Sequence, residues 1–225
     1  MKLVDVMRTT PATRKFTDEG VPDEVVHGLL DSARFAPSGG NRQGWHVVVV
    51  KDPSIRTRLR ELYQGAWREY MAHSRVGQVA FAPGPDRFSQ AWVDIDEALA
   101  TPAPNAFADS IDTLPVVMIV CAELASLAVL DHGADHQSIV GGASIYPFCH
   151  NIMLAARDAG LGGVMTTAIC RREAEVVDLL GIPDTHVVAS LIALGHPAEE
   201  ITKLRRDPVE HFAVVDRFSG EAFQI

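Results

Sequence analysis

Apolar positions along this chain change their period several times, and each change marks an element. Val25, Val26, Leu29, Leu30 and Ala33 recur at helical spacing behind Val21-Pro22, with Asp23 and Glu24 where negative charge favours a helix start. The β-branched run Val47-Val48-Val49-Val50 follows as a strand. Asp52-Pro53-Ser54 opens a helix through about Tyr63, with Trp67 and Tyr70 at helical spacing beyond it. Residues 3–7 form a short helix candidate, and residues 115–122 a continuous apolar run typical of a strand buried on both faces. Ile145, Phe148, Ile152, Ala155 and Ala159 then share one helix face that Gly160 closes. Residues 172–180 predict another helix, stopped by Gly181-Ile182-Pro183, and residues 186–194 a last strand, closed by Gly195-His196-Pro197.

Two regions resist this reading. From Gly65 to Asp112 the periodicity fades, yet Trp67, Tyr70, Phe81, Phe88, Trp92 and Phe107 are too many aromatics for a linker. An irregular or partly helical excursion is expected there, serving as a lid or part of a subunit contact. Residues 198–225 mix Phe212, Val214, Val215, Phe218 and Phe223 with charges; such a tail cannot bury these groups alone and is expected to lie along another surface, such as a second subunit. One domain with a wandering tail accounts for the whole.

Two connections carry candidate chemistry. Residues 36–45 read Ala-Pro-Ser-Gly-Gly-Asn-Arg-Gln-Gly-Trp between helix and strand. Pro37 ends the helix, the glycine pair allows close backbone approach, and Ser38, Asn41 and Gln43 offer groups that can bond a heteroaromatic ring or a phosphate. The same residue types also serve turn geometry alone, and composition does not separate the two readings. Residues 161–167, Leu-Gly-Gly-Val-Met-Thr-Thr, form a second glycine-rich connection ending in hydroxyls.

Composition narrows the partners. The 225 residues, 47% hydrophobic and 22% charged, describe a soluble globular protein, and no apolar run approaches the ~20 residues of a membrane helix. Asp5 falls where a signal peptide would continue its apolar core, so a cytoplasmic protein is expected. A net charge of −9 argues against nucleic acid. Any anion must be met locally, by Arg8, Arg14 and Lys15 or by Lys203, Arg205 and Arg206, each group equally readable as a solvated cluster. Cys121, Cys149 and Cys170 are scattered; Cys121 reads as a small core residue, and no disulfide framework or zinc site is indicated.

Taken in order, these motifs resemble the FMN-dependent nitroreductase family. The first loop resembles that family's ring-contacting loop, which implies flavin contacts for Pro37, Ser38, Gly39 and Asn41. Residues 161–167 resemble its second flavin loop, implying backbone approach at Val164, Met165 and Thr166. Arg14-Lys15-Phe16 with Val21-Pro22 resembles its opening basic motif, and Lys203-Leu204-Arg205 its closing one; both imply contact with the FMN phosphate. The family's opening motif has an arginine and a serine where this chain has Thr10 and Ala12, and Arg8 is the nearest substitute. The resemblance further implies an α+β three-layer α/β/α sandwich with a mostly antiparallel central sheet, an intertwined homodimer with FMN at the subunit interface, and hydride transfer from NADH or NADPH through flavin to a nitroaromatic, quinone or similar acceptor. No side chain need act as nucleophile.

Other chemistries read less well. His132 and His136, with Asp131 and Asp135, have a spacing that on a helix would face one metal, but Gly133 weakens the helix and the glutamate of a metalloprotease motif is missing. These residues read instead as a polar loop bordering the acceptor pocket. No Gly-x-Ser-x-Gly elbow and no Gly-x-Gly-x-x-Gly fingerprint is present. A protein that stores FMN without turnover, a reductive dehalogenase and a flavin-fragmenting enzyme remain alternatives within the flavin reading.

Overall fold

The computed structural model describes residues 1–84, 92–200 and 203–225. Helices α1 (Leu3–Thr9), α2 (Asp23–Ala33), α3 (Pro53–Arg75), α4 (Ile95–Ala100), α5 (Ala106–Asp109), α6 (Tyr146–Asp158) and α7 (Glu173–Leu180) surround strands β1 (Trp45–Val49), β2 (Val116–Glu123), β3 (Gly162–Thr166) and β4 (His186–Gly195). The strands form one sheet in the order β1-β2-β4-β3, every pair antiparallel.

The central position of β2 explains its unbroken apolar sequence. Val116, Met118, Val120 and Ala122 face α2 and α6, while Val117, Ile119 and Cys121 face α3, α5 and α7. Helices therefore cover both faces, giving the expected α+β three-layer arrangement. In β4 the alternation is reset by a bulge. Val120 pairs with Ser190 and Cys121 with Val188, leaving Ala189 as the extra residue. Ala189 and Ile192, three apart, consequently face the same layer.

Local chemistry fixes the helix ends. The Asp52 carboxylate accepts from the Ser54 and Ile55 amides at the start of α3. Gly160, at φ +79°, lets the Leu161 amide bond the Ala156 carbonyl across the end of α6.

Several expectations need correction. The helix from Asp52 continues to Arg75, so the first residues of the 65–112 excursion belong to α3. Its stripe of Leu59, Leu62, Tyr63, Ala66, Glu69 and His73 is buried, and the polar members obscure the period. The rest of the excursion includes α4 and α5; Phe88 lies outside the described residues. On α6 the buried face is Phe148, Cys149, Ile152, Met153 and Ala156, whereas Ala155 is half-buried and Ala159 exposed. Residues 162–166 are a strand, not a connection. Gly163 serves packing there: a Cβ would lie 2.4 Å from Leu194 Cδ2 and 2.9 Å from Met153 Cε. Cys121 is a core residue as expected, and all three cysteines are free thiols. Among the described residues no helix is long and apolar enough to cross a membrane.

Candidate functional site

The chain ahead of α2 is extended along β3 and the end of β4. Ala12 pairs in parallel with Gly163, and the Thr13 amide donates to the Gly163 carbonyl at 2.8 Å. Gly162 permits this approach, since a Cβ there would fall 2.7 Å from Thr13 Oγ1. Further along, Phe16 pairs with Pro197, and the Ala198 amide donates to the Lys15 carbonyl at 3.1 Å. Between these pairings lies Arg14, close enough to Tyr63 for its charge to act on that phenol. Lys15 Nζ is engaged by Glu199 Oε1 at 2.9 Å, whereas Arg14 is exposed and has no carboxylate partner among the described residues. Of these two neighbours, Arg14 is the cation left without an ion pair among the described residues.

At the end of β3 the residues diverge. The Val164 side chain is fully buried in the α3 layer, so only its backbone can meet a ligand; Met165 and Thr166 are half-buried and Thr167 is exposed. Thr166 Oγ1 lies 3.0 Å from Tyr63 Oη and accepts from the Ala168 amide at 3.4 Å. Burial holds the Tyr63 phenol above its usual pKa, opposed by the bond to Thr166 and the charge of Arg14. Tyr63 is thus bonded to Thr166 and lies within reach of the Arg14 charge. Sequence reasoning missed it because Tyr63 sits on an apolar helix stripe like any core aromatic.

Residues 37–44 form a separate, strained feature. A single 3-10 turn, Gly39–Asn41, is followed by an abrupt path into β1. Gly40, Asn41 and Gln43 have φ of +61°, +54° and +52°, values that cost free energy for the two non-glycine residues. Hydrogen bonds impose them: Gln43 N donates to Ser38 Oγ at 3.0 Å and Gly39 N to Ser144 Oγ at 2.9 Å. Gly44 lets the chain pass Ser126 closely, because a Cβ would sit 2.4 Å from Ser126 Cβ. Trp45 then stacks on Phe148 at 4.7 Å. Pro37, Gly39 and Asn41 are left exposed on a rigid frame, and Ser38 is half-buried and spent on the loop itself. Ser144 is a second partner that sequence alone did not reveal.

The two features lie towards opposite edges of the sheet. Residues 37–44 lead into β1 and residues 12–13 pair with β3, the opposite edges of the sheet. Three inter-strand steps separate these edges, ~14 Å at the usual spacing. Lys203 and Arg205 are exposed and hold no ion pair among the described residues. The helix needed to aim His132 and His136 at one metal does not form: Gly133 is in a turn at φ +79°, and Asp131 accepts from the Ser138 amide. Among the described residues no three potential ligands gather for a metal.

This fold and these motifs define a known class. The sequence profile of the nitroreductase family matches residues 7–196, and the chain belongs to that family. Iodotyrosine deiodinase 1 of Pongo abelii is 26% identical over 214 residues, covering 94% of this chain and 67% of the deiodinase. The NADPH:FMN oxidoreductase of Vibrio harveyi, solved with NAD+, superposes with a TM-score of 0.68 at 17% identity, over 96% of this chain and 77% of its own. The structure of NfrA2 from B. megaterium gives the same TM-score at 21% identity, over 97% and 75%.

Proposed function

We propose that the chain is an FMN-dependent oxidoreductase that passes hydride from NADH or NADPH to a planar, electron-poor acceptor, and that it works as a homodimer. The observation that carries this reading is the pair of complementary half-sites on opposite edges of one sheet. One offers Arg14, exposed and without an ion pair among the described residues, whose charge reaches the same Tyr63 that bonds Thr166. The other offers a rigid loop with Asn41 and Gln43 held in left-handed conformations. A phosphate suits the guanidinium, and a flat ring suits exposed amides and carboxamides on a stiff frame. Two-fold symmetry would set the loop of one chain against the Arg14 segment of its partner, with Lys203 and Arg205 closing on the phosphate and the exposed Phe212, Phe218 and Phe223 covered by the second subunit.

The bound flavin supplies the hydride chemistry. This chain's residues bind and orient: Arg14 and Arg205 neutralise the phosphate, Pro37, Ser38, Gly39 and Asn41 present the ring-contacting loop, and Val164, Met165 and Thr166 line one ring edge. A second reading is favoured by the 26% identity to a deiodinase over nearly the whole chain: the acceptor is then a halogenated phenol that loses halide. Purified protein should be yellow with flavin absorption, and Arg14→Ala and Arg205→Ala should each weaken FMN retention about tenfold or more. Turnover on quinones and nitroaromatics, measured against halogenated tyrosines with the same reductant, separates the two acceptors. A colourless protein whose melting temperature ignores saturating FMN would end the flavin reading.

A further inference from the structure

We infer that Tyr63 is a positioning residue of the candidate flavin site: its phenol holds the Thr166 hydroxyl, and with it the backbone where β3 passes into the following turn. The inference rests on the flavin reading above and assigns a role on α3, which none of the sequence motifs includes.

The Tyr63 side chain has little freedom. It is 5% exposed, and its ring meets Phe107 edge-on at 5.7 Å and 84°. From that fixed ring Oη reaches across from the helix layer to Thr166 Oγ1 at 3.0 Å. The same Oγ1 receives the Ala168 amide, so one threonine oxygen fastens both the helix and the outgoing chain. With Tyr63 as donor, both lone pairs of that oxygen are occupied, and the Thr166 proton is left for a third partner on the open side of β3. Burial keeps Tyr63 protonated across the neutral range and so keeps it able to donate.

The far end of the same turn is also tied to α3. Glu69, 1% exposed, takes Arg171 Nε on Oε1 at 2.6 Å. One helix therefore grips the turn at both ends. Tyr63 holds the end beside Arg14 and Met165, where the cofactor is expected, and Glu69 the end away from it. A displacement of the Thr166–Ala168 backbone would be felt by a ring lying on it, because hydrogen bonds to a flavin edge depend steeply on distance and angle.

The full-length protein loaded with FMN provides the test, in the variants Tyr63→Phe, Thr166→Val, Thr166→Ser and the double Tyr63→Phe/Thr166→Val. The readouts are the affinity for FMN, the visible spectrum and reduction potential of the bound flavin, and kcat and KM for the nicotinamide. Tyr63→Phe is expected to weaken FMN binding roughly two- to tenfold, to shift the flavin band and potential, and to lower kcat more than it raises KM. Thr166→Val should reproduce these changes, the double variant should add little to either, and Thr166→Ser, which keeps the hydroxyl, should lose less than Thr166→Val. If Tyr63→Phe does not fold, the contrast between Thr166→Val and Thr166→Ser carries the same test. Should the parent bind FMN while Tyr63→Phe changes only the melting temperature, leaving spectrum, potential and affinity at parental values, the positioning role is refuted and the flavin reading stands. A parent that binds no FMN removes both.

Discussion

At the scale of single residues, the structure separates groups held ready from groups already committed. Gly44 belongs to the second kind. Its approach to Ser126 leaves no room for a methyl group, and neither neighbour is the flexible end of a long side chain. Gly44→Ala should cost about 1–3 kcal/mol and disturb the loop that ends in Trp45, so FMN affinity and thermal stability should fall together; loss of neither would show that the loop simply shifts. The cysteines are committed as well. Burial pushes the Cys121 thiol up to about 11 and Cys170 up to about 12, the latter with Sγ bonded to the Val188 carbonyl at 3.2 Å. Folded protein at pH 8 should resist iodoacetamide at all three cysteines and react only in denaturant; rapid labelling of Cys170 in the folded state would contradict this assignment. Arg14 is the counter-example, exposed and without a carboxylate partner among the described residues.

At the scale of elements, periodicity made β2, α2 and the start of α3 legible. Their environments match one simple rule each: buried on both faces, amphipathic, and capped by Asp52. It failed where a second demand overrode the period. Residues 162–166 read as a loop because Gly162 and Gly163 look like turn residues, whereas they are small to admit Thr13, Leu194 and Met153. The end of α3 was hidden by Glu69 and His73, polar side chains in buried positions. Two measurements bear on these elements. Phe148, 2% exposed and stacked on Trp45, should cost about 3–5 kcal/mol as Phe148→Ala, lowering Tm by on the order of 10 °C, which a thermal melt would read. The Asp52 cap should report on pH. The Ser54 hydroxyl, then the Ile55 and Ser54 amides, hold its carboxyl below the usual range. Its contribution is therefore present above the unfolded pKa near 4 and is lost as pH falls through the folded value. The stability gap between parent and Asp52→Ala should close in that acid window; a gap unchanged at pH 3 would remove the cap from the account.

At the scale of the whole molecule, the family and the layered fold were legible because motif order survives when individual positions drift. The geometry of the site was not. Only the resemblance put the flavin segments at a subunit interface; neither spacing nor composition shows that β1 and β3 are the two outer strands of the sheet. The proposed dimer would reconcile the motifs with that topology, and it has a quantitative signature. Arg14→Ala and Asn41→Ala protomers, each defective alone, should regain about one quarter of the sites when unfolded together and refolded, because half the pairs are mixed and each mixed pair has one intact site. No recovery, with dimers verified by sedimentation, would place each site within a single chain. The N-terminal segment paired to Gly163 has a further consequence. An outer strand with open amides and carbonyls is a template for indiscriminate pairing with other chains, and residues 12–13 occupy part of it. Protein shortened past Phe16 would lose that plug as well as Arg14, and is expected to precipitate in the test tube before its colour can be measured.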